Sequence, residues 1–344
     1  MKAKYLEELE KKYNIQIKNI ISVEAGWINE KYILETENGK KYFLKELSLE
    51  KFPSTYYPIL CKKVFIQNEL YNMGVCVPKV YKNNKGELIS RLSNKKNYFL
   101  QHFIESNDFK NELSEYCIYD LGVKLSYLHN CLSLLDCTEL ENDFFKYKNV
   151  RLLKNELNDR INQINSKSSI DYIREVSLHE KIIEDIETSK ILEKQKLQLI
   201  HGDFTPDNII FDNNGVLSIL DYELMRINTR LQDIGRIILS VCFENGKVDG
   251  RKLQSFINGY NNNLKLTYDD IINSLKIVWI NEVNIWIKDR YFLNYNPPKV
   301  QKFIEEMMWI SKNWFNIEGI IKDVLSDEKD KNKLQYKFYY EKQK

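Results

Sequence analysis

The chain has no apolar run approaching the about 20 residues that a membrane-spanning helix needs. Its six cysteines (Cys61, Cys76, Cys117, Cys131, Cys137 and Cys242) show no C-x-x-C spacing, and there are only four histidines in 344 residues. Together these absences argue against a zinc site and against a disulfide scaffold, and they fit reduced thiols in a cytoplasmic compartment. The opening stretch MKAKYLEELEKKYNI is charged throughout, without the apolar core of a signal peptide. An excess of one charge is also missing. The 51 Lys and Arg stand against 49 Asp and Glu, too even a balance for a dedicated binder of nucleic acid or anionic membrane. No heptad pattern persists, and neither internal repeat nor low-complexity linker interrupts the chain. What remains is the composition of an ordinary globular protein, 43% hydrophobic and 29% charged, long enough for two lobes.

The informative stretch is 197–223, LQLIHGDFTPDNIIFDNNGVLSILDYE. Apolar runs at Leu197–Ile200 and Ile209–Phe211 flank a polar loop carrying His201, Asp203 and Asn208, and a third run, Val216–Leu220, delivers Asp221. H-x-D-x-x-x-x-N followed by D-x-x is the spacing of the catalytic loop and metal-binding Asp of kinases. Phosphoryl transfer needs metal on the phosphates, a positioned hydroxyl and neutralised charge. Asp203 is expected to accept the hydroxyl proton, His201 to brace the loop, and Asn208 and Asp221 to hold Mg²⁺ through hard oxygen ligands. Asp233, opening a helix at LQDIG, is expected to tie down the loop backbone. Asp, Asn and Gly are also turn formers, and Asp207 and Asp212–Gly215 read as such. Turn chemistry does not account for His201, Asp203, Asn208 and Asp221 occurring together between apolar strands.

Upstream, a helix is expected over 3–14, then strands at 20–23, 32–36 and 41–47, the last two joined by an Asn38-Gly39 hairpin turn. A helix over 56–73, closed by Gly74, precedes further strands at 79–81, 88–92 and 98–104. The pattern is a small antiparallel sheet with one helix inserted after its third strand. Lys45 lies on the strand face of Phe43 and Leu47 and resembles the V-A-I-K lysine that grips ATP phosphates. Glu69, the sole acid between Lys51 and Gly86, is read as its partner, on a helix face with Phe65, Ile66 and Met73. Backbone around Gly26 and Asn29 suits a phosphate cover and equally suits an ordinary turn, since neither G-x-G-x-x-G nor G-x-x-x-x-G-K-[ST] occurs. His102, Phe103 and Ile104 fall where kinase backbone meets the adenine edge.

The remainder reads as helical: 111–130, charged runs within 141–196, then 231–244, 249–264, 268–294 and 298–320. Trp279, Glu282, Trp286 and Asp289 recur at helical spacing. They make a face fit to cradle a cationic or sugar-like alcohol, or a stripe of core. Glu223 reads as an acceptor contact or an exposed turn residue. Three features point away from a protein substrate. Gly202 stands where protein kinases have Arg, no A-P-E follows, and only about ten residues separate Asp221 from the next helix.

HGDFTPDNIIF with ILDYE and LQDIG resembles the aminoglycoside phosphotransferase/choline kinase superfamily, nearest its spore-coat CotS-type kinase-like group. Over residues 20–320 the resemblance implies an α+β, two-lobed protein-kinase-like fold using ATP and Mg²⁺. It makes Asp203 the base, Asn208 and Asp221 the metal ligands, and Lys45 with Glu69 the phosphate clamp. The expectation is an N-terminal nucleotide lobe over 1–104, and a helical lobe over 105–344 with the catalytic loop and acceptor site. The expected enzyme is a kinase acting on a small-molecule hydroxyl, as a monomer or homodimer, without nucleic acid or membrane. Location would be cytoplasmic, or the spore coat if the CotS likeness holds. The alternatives are a non-catalytic kinase-like coat protein and, less favoured, a protein kinase.

Overall fold

The Asn38-Gly39 turn fixes the register of the N-terminal sheet. Gly39 takes φ +77°, and the Thr36 amide donates to the Lys40 carbonyl at 2.9 Å, so Lys31 falls opposite Lys45 across the hairpin. In the computed structural model, which describes residues 3–23, 30–47, 56–105, 113–137, 140 and 149–326, this hairpin is the centre of an antiparallel sheet. Its strands are β1 (Ile17–Val23), β2 (Lys31–Thr36), β3 (Lys41–Leu47), β4 (Val80–Tyr81), β5 (Ser90–Arg91) and β6 (Asn97–His102). The order is β1-β2-β3-β6-β4, with β5 also against β6. Helix α1 (Ala3–Tyr13) covers one face, where Leu9 meets Leu34, Leu44 and Leu100. Helix α2 (Tyr57–Asn72) covers the other, where Val64 joins Leu47, Val80 and Phe99. The expected strands at 79–81 and 88–92 shrink to two residues each, while the first strand extends back to Ile17.

The rest is mainly helical: α3 (Glu115–Leu132), α4 (Val150–Gln163), α5 (Ile170–Ser189), α6 (Leu231–Cys242), α7 (Gly250–Tyr260), α8 (Tyr268–Trp286), α9 (Asp289–Leu293) and α10 (Pro298–Asn313), with a last helix over 317–326. One apolar core runs through them, from Leu121 and Leu125 of α3 to Ile237 of α6, Val278 of α8 and Ile310 of α10. The 141–196 stretch contributes α4 and α5, which pack on this core through Leu153, Leu157, Ile182 and Ile186. The helix expected over 268–294 breaks at Ile287 and Lys288, because the chain turns there to bury Ile287 completely. Among the described residues no helix is long and apolar enough to cross a membrane.

Between sheet and helices lie the short pairs that carry the central loop. Strand β7 (Leu197–Ile200) pairs with β10 (Arg226–Thr229), and β8 (Ile209–Asp212) forms a hairpin with β9 (Gly215–Ile219). The Asp120 carboxylate of α3 accepts from the Val216 amide at 2.7 Å, and the Ile219 amide donates to the Cys76 carbonyl just after α2. The loop is therefore anchored to both halves of the molecule. The three apolar runs of the sequence form β7, β8 and β9 to within a residue.

Candidate active site

Strand β7 stops at Ile200, and the next two amides are captured by one buried carboxylate. The Asp233 oxygens accept from His201 N at 2.8 Å and from Gly202 N at 2.9 Å. His129 of α3 donates to the same carboxylate through Nε2 (3.2 Å), while its Nδ1 accepts the Tyr260 hydroxyl at 2.8 Å. Burial opposes ionisation of Asp233, but His129, His201 and the loop amides together hold its carboxyl below the ordinary range. Burial likewise lowers His129, consistent with a neutral ring between a carboxylate and a hydroxyl. The expectation that Asp233 ties the loop is met by this geometry, and His129 is a second anchor that the sequence did not single out.

His201 braces as expected. Its Nε2 donates to the Leu220 carbonyl at 2.8 Å, one residue before Asp221, and its Nδ1 accepts from the Asp203 amide at 3.3 Å. Gly202 sits at φ +82°, where a Cβ would lie 2.2 Å from the Leu224 carbonyl oxygen. The arginine of protein kinases has no room here. Asn208 closes the loop by donating Nδ2 to both the backbone carbonyl and Oδ2 of Asp203, each at 2.8 Å. Its own carbonyl accepts the Leu220 amide at 2.7 Å. Asp203, Asn208 and Asp221 are thus joined through a few hydrogen bonds.

Asp221 takes the left-handed conformation, φ 71° and ψ 63°, and opens a 3₁₀ turn over Tyr222–Leu224. A non-glycine residue there is uncommon, and such backbone outliers concentrate at functional sites. Both carboxylate oxygens face ammonium groups. Lys45 Nζ lies 2.5 Å from Oδ1 and Lys31 Nζ lies 3.2 Å from Oδ2. Lys45 also reaches Glu223 Oε1 at 2.7 Å. Burial alone would raise Asp221, but Lys45 and Lys31 hold it well below the usual carboxylate range. Burial and the neighbouring Asp221 carboxylate push Glu223 up to about 7. Lys45 is held above the ordinary lysine range by the two acids, against its burial.

The clamp differs from the one expected. Lys45 does not pair with Glu69. The inward face of α2 is Leu60, Lys63, Val64, Ile66, Gln67 and Leu70, whereas Phe65 is 47% exposed and Glu69 accepts from its neighbour Asn72 at 3.2 Å. The helix is packed so that Lys63, not Glu69, points inward, to the Glu223 carbonyl. The carboxylates on Lys45 come instead from Asp221 and from Glu223, which is buried and not an exposed turn residue. Lys31 was missed in the sequence; the signal that would have found it is hairpin register, since the Asn38-Gly39 turn sets it opposite Lys45.

The expected acceptor stripe does not hold together as one surface. Trp279 is fully buried, donates Nε1 to Ser311 at 2.8 Å and packs against His179 and Trp314. Glu282 is occupied by Arg236 (2.8 Å), Gln232 (3.1 Å) and Trp286 Nε1 (3.1 Å). Trp286 itself packs on Phe303, and Asp289 accepts the Ser169 amide. These residues mainly fasten α5, α6, α8 and α10 together. His102 ends β6 beside Tyr81, and Phe103 and Ile104 follow it. Gly26 and Asn29 lie outside the described residues.

A divalent cation would suit the oxygen donors present. Because Asn208 spends Nδ2 on Asp203, its Oδ1 is turned the other way, and the Asp221 oxygens already attract two cationic groups. Among the described residues no three His, Cys, Asp or Glu side chains gather into a metal cage. The Asn208 and Asp221 oxygens are hard donors of the kind that suits a divalent cation such as Mg²⁺.

Solved structures share this fold. An amicoumacin kinase in complex with AMP-PNP, Ca²⁺ and Ami superposes with a TM-score of 0.65 at 13% identity, covering 91% of this chain and 93% of its own. A spectinomycin phosphotransferase bound to ADP and spectinomycin gives 0.58 at 16% identity, covering 94% and 98%. An aminoglycoside phosphotransferase from Alicyclobacillus acidocaldarius gives 0.61 at 14% identity, covering 91% and 94%. The fold is accordingly kinase-like, with an antiparallel-sheet N-lobe and a mainly helical C-lobe. No curated protein matches the sequence. The profile of the phosphotransferase enzyme family (APH) matches residues 19–262, and the chain belongs to that family.

Proposed function

We propose that the protein transfers the γ-phosphate of ATP to a hydroxyl of a small molecule, a sugar, aminoglycoside-like compound or amino alcohol, in a cleft between residues 1–104 and 105–344. The observation that carries this reading is the coupling of Asp203 to Asn208, and of Asn208 to the strand end bearing Asp221, opposite Lys45. Asp203 accepts the acceptor's proton. Asn208 holds one of its oxygens, Oδ2, so the carboxylate keeps a fixed orientation toward an incoming hydroxyl. His201 and Asp233 keep the loop backbone in place while this happens. Lys45 and Lys31 supply positive charge beside the phosphates. Asn208 and Asp221 would hold Mg²⁺, which when bound neutralises charge on the transferring group. The short 3₁₀ turn from Asp221 into β10 offers no platform for a peptide, in favour of a small acceptor.

The test is thermal stabilisation by ATP with MgCl₂, followed by a phosphate-transfer screen over sugars, aminoglycosides and amino alcohols. Asp203→Ala is expected to keep nucleotide binding and lose turnover, and Asp221→Ala to lose the metal-dependent part of binding. Absence of any shift in the wild type would sink the nucleotide reading and favour a non-catalytic scaffold of the spore-coat kind.

A further inference from the structure

Helix α2 presents a lysine on its buried face, where packing would favour an apolar residue. Lys63 is 1% exposed, flanked on the same face by Leu60, Val64 and Gln67. An ammonium so buried is costly unless its donors are placed. Nζ donates to the Tyr56 hydroxyl at 2.6 Å and to the backbone carbonyl of Glu223 at 3.0 Å, and it lies 5.1 Å from the Tyr56 ring centroid.

The acceptor of the second bond is the point of interest. Glu223 is the middle residue of the turn that begins at the left-handed Asp221, and the turn's own closing bond, Met225 N to Tyr222 O, is 3.2 Å long. Both acidic side chains of the turn are gripped by Lys45, which holds the carboxylates but not the backbone. Lys63 supplies the backbone contact. A charged donor on a carbonyl is stronger than a neutral one, and it comes from a helix rather than from a loop. The polarity of the usual kinase arrangement is thereby exchanged: the helix brings an amine, and the acid that holds Lys45 comes from the turn.

We propose that Lys63 is a positioning residue, fixing the Asp221–Glu223 turn from helix α2 so that Asp221 is set for the metal and Glu223 for Lys45. The inference rests on the nucleotide-binding reading above. It places the lever for metal-dependent binding in the N-terminal half of the chain, on a residue that need not touch the ligand.

The test uses the full chain, with ATP as probe, by isothermal titration calorimetry in MgCl₂ and in EDTA, alongside amide hydrogen exchange on the free protein. Lys63→Met is expected to leave ATP binding in EDTA within about twofold of wild type while losing about tenfold of the Mg²⁺-dependent tightening, the scale of one hydrogen bond to a charged group. Exchange at the 223–225 amides is expected to speed up by a similar factor without ligand, and Lys63→Arg to recover most of both. Wild-type metal dependence together with wild-type exchange in Lys63→Met would overturn the proposal. Should Lys63→Met fail to fold by circular dichroism, Tyr56→Phe removes the hydroxyl that accepts from Nζ and keeps the ring. About threefold changes in the same two measurements are then expected, and unchanged values overturn it. If the wild type binds no ATP, the nucleotide reading fails, while the exchange comparison still decides whether Lys63 holds the turn.

Discussion

Replacing Asp233 by Asn tests how the catalytic loop is held. In the wild type one carboxylate accepts two consecutive loop amides and the His129 Nε2 proton, all in a site that is 1% exposed. An amide keeps the shape but has only one accepting oxygen. Its NH₂ group must face either a backbone N–H or the histidine N–H, so one buried donor is left unmet and the surviving bonds lose their charge assistance. Bonds to charged groups contribute about 1.5–3 kcal/mol and a buried unmet donor costs about 1–3 kcal/mol, so a net loss of about 2–4 kcal/mol is expected. For a chain of this length that lowers the melting temperature by about 3–6 °C. The loop carries Asp203 one residue beyond the second amide, and a shift of about 1 Å there costs about 100-fold in rate. Differential scanning calorimetry and ATP turnover measure the two effects. A variant melting within 1 °C of wild type with unchanged turnover would refute the claim that this carboxylate positions the loop.

Other outcomes follow from the same geometry. Gly202→Ala places a Cβ against the Leu224 carbonyl in a left-handed backbone, and turnover should fall far more than ATP affinity because the loop, not the phosphate grip, must shift. Glu69→Gln should leave ATP binding unchanged, whereas Glu223→Gln should weaken it, as measured by calorimetric titration; the reverse order would restore the Lys45–Glu69 pairing. Trp279→Ala should destabilise the fold by about 3–5 kcal/mol through an internal cavity, without selectively raising KM for any acceptor found in the screen. On pH, Asp221 and Asp233 lie below the ordinary carboxylate value, so their contribution to stability is complete above about pH 4 and is lost as pH falls through their folded values. Glu223 is raised to about 7, so its contribution is complete below about pH 4.3 and disappears as pH rises toward 7. Glu223→Gln should therefore flatten the stability profile between pH 4.5 and 7 in urea titrations, and an unaltered slope there would contradict the assignment.

The central loop was legible in the sequence because its information is local. Asp203, Asn208 and Asp221 sit within two adjacent hairpin-like segments, so apolar runs and turn residues place them near one another before any distant contact forms. The same holds for the Asn38-Gly39 hairpin, which brings Lys45 onto an inward strand face. Asp233 was readable as the loop tie from its place at the start of a helix, although the chain had to fold for His129 to join it from α3.

Elsewhere the outcome depended on which side of a helix is buried. Lys63 and Glu69 are six residues apart, about 120° around α2, and both neighbour apolar residues in sequence. Only packing against β3, β6 and the Asp221 turn decides that the lysine faces in and the glutamate does not. The Trp279 stripe failed for the same reason. Helical spacing places Trp279, Glu282 and Trp286 near one face, but α6, α10 and α5 pack over it and turn an open face into core and buried hydrogen bonds. By itself, the sequence placed the His201–Asn208 loop, Asp221 and the strand lysine Lys45, because short-range spacing encodes each of them. The tertiary structure decided who holds that lysine, since burying a helix face is a choice made by the whole core.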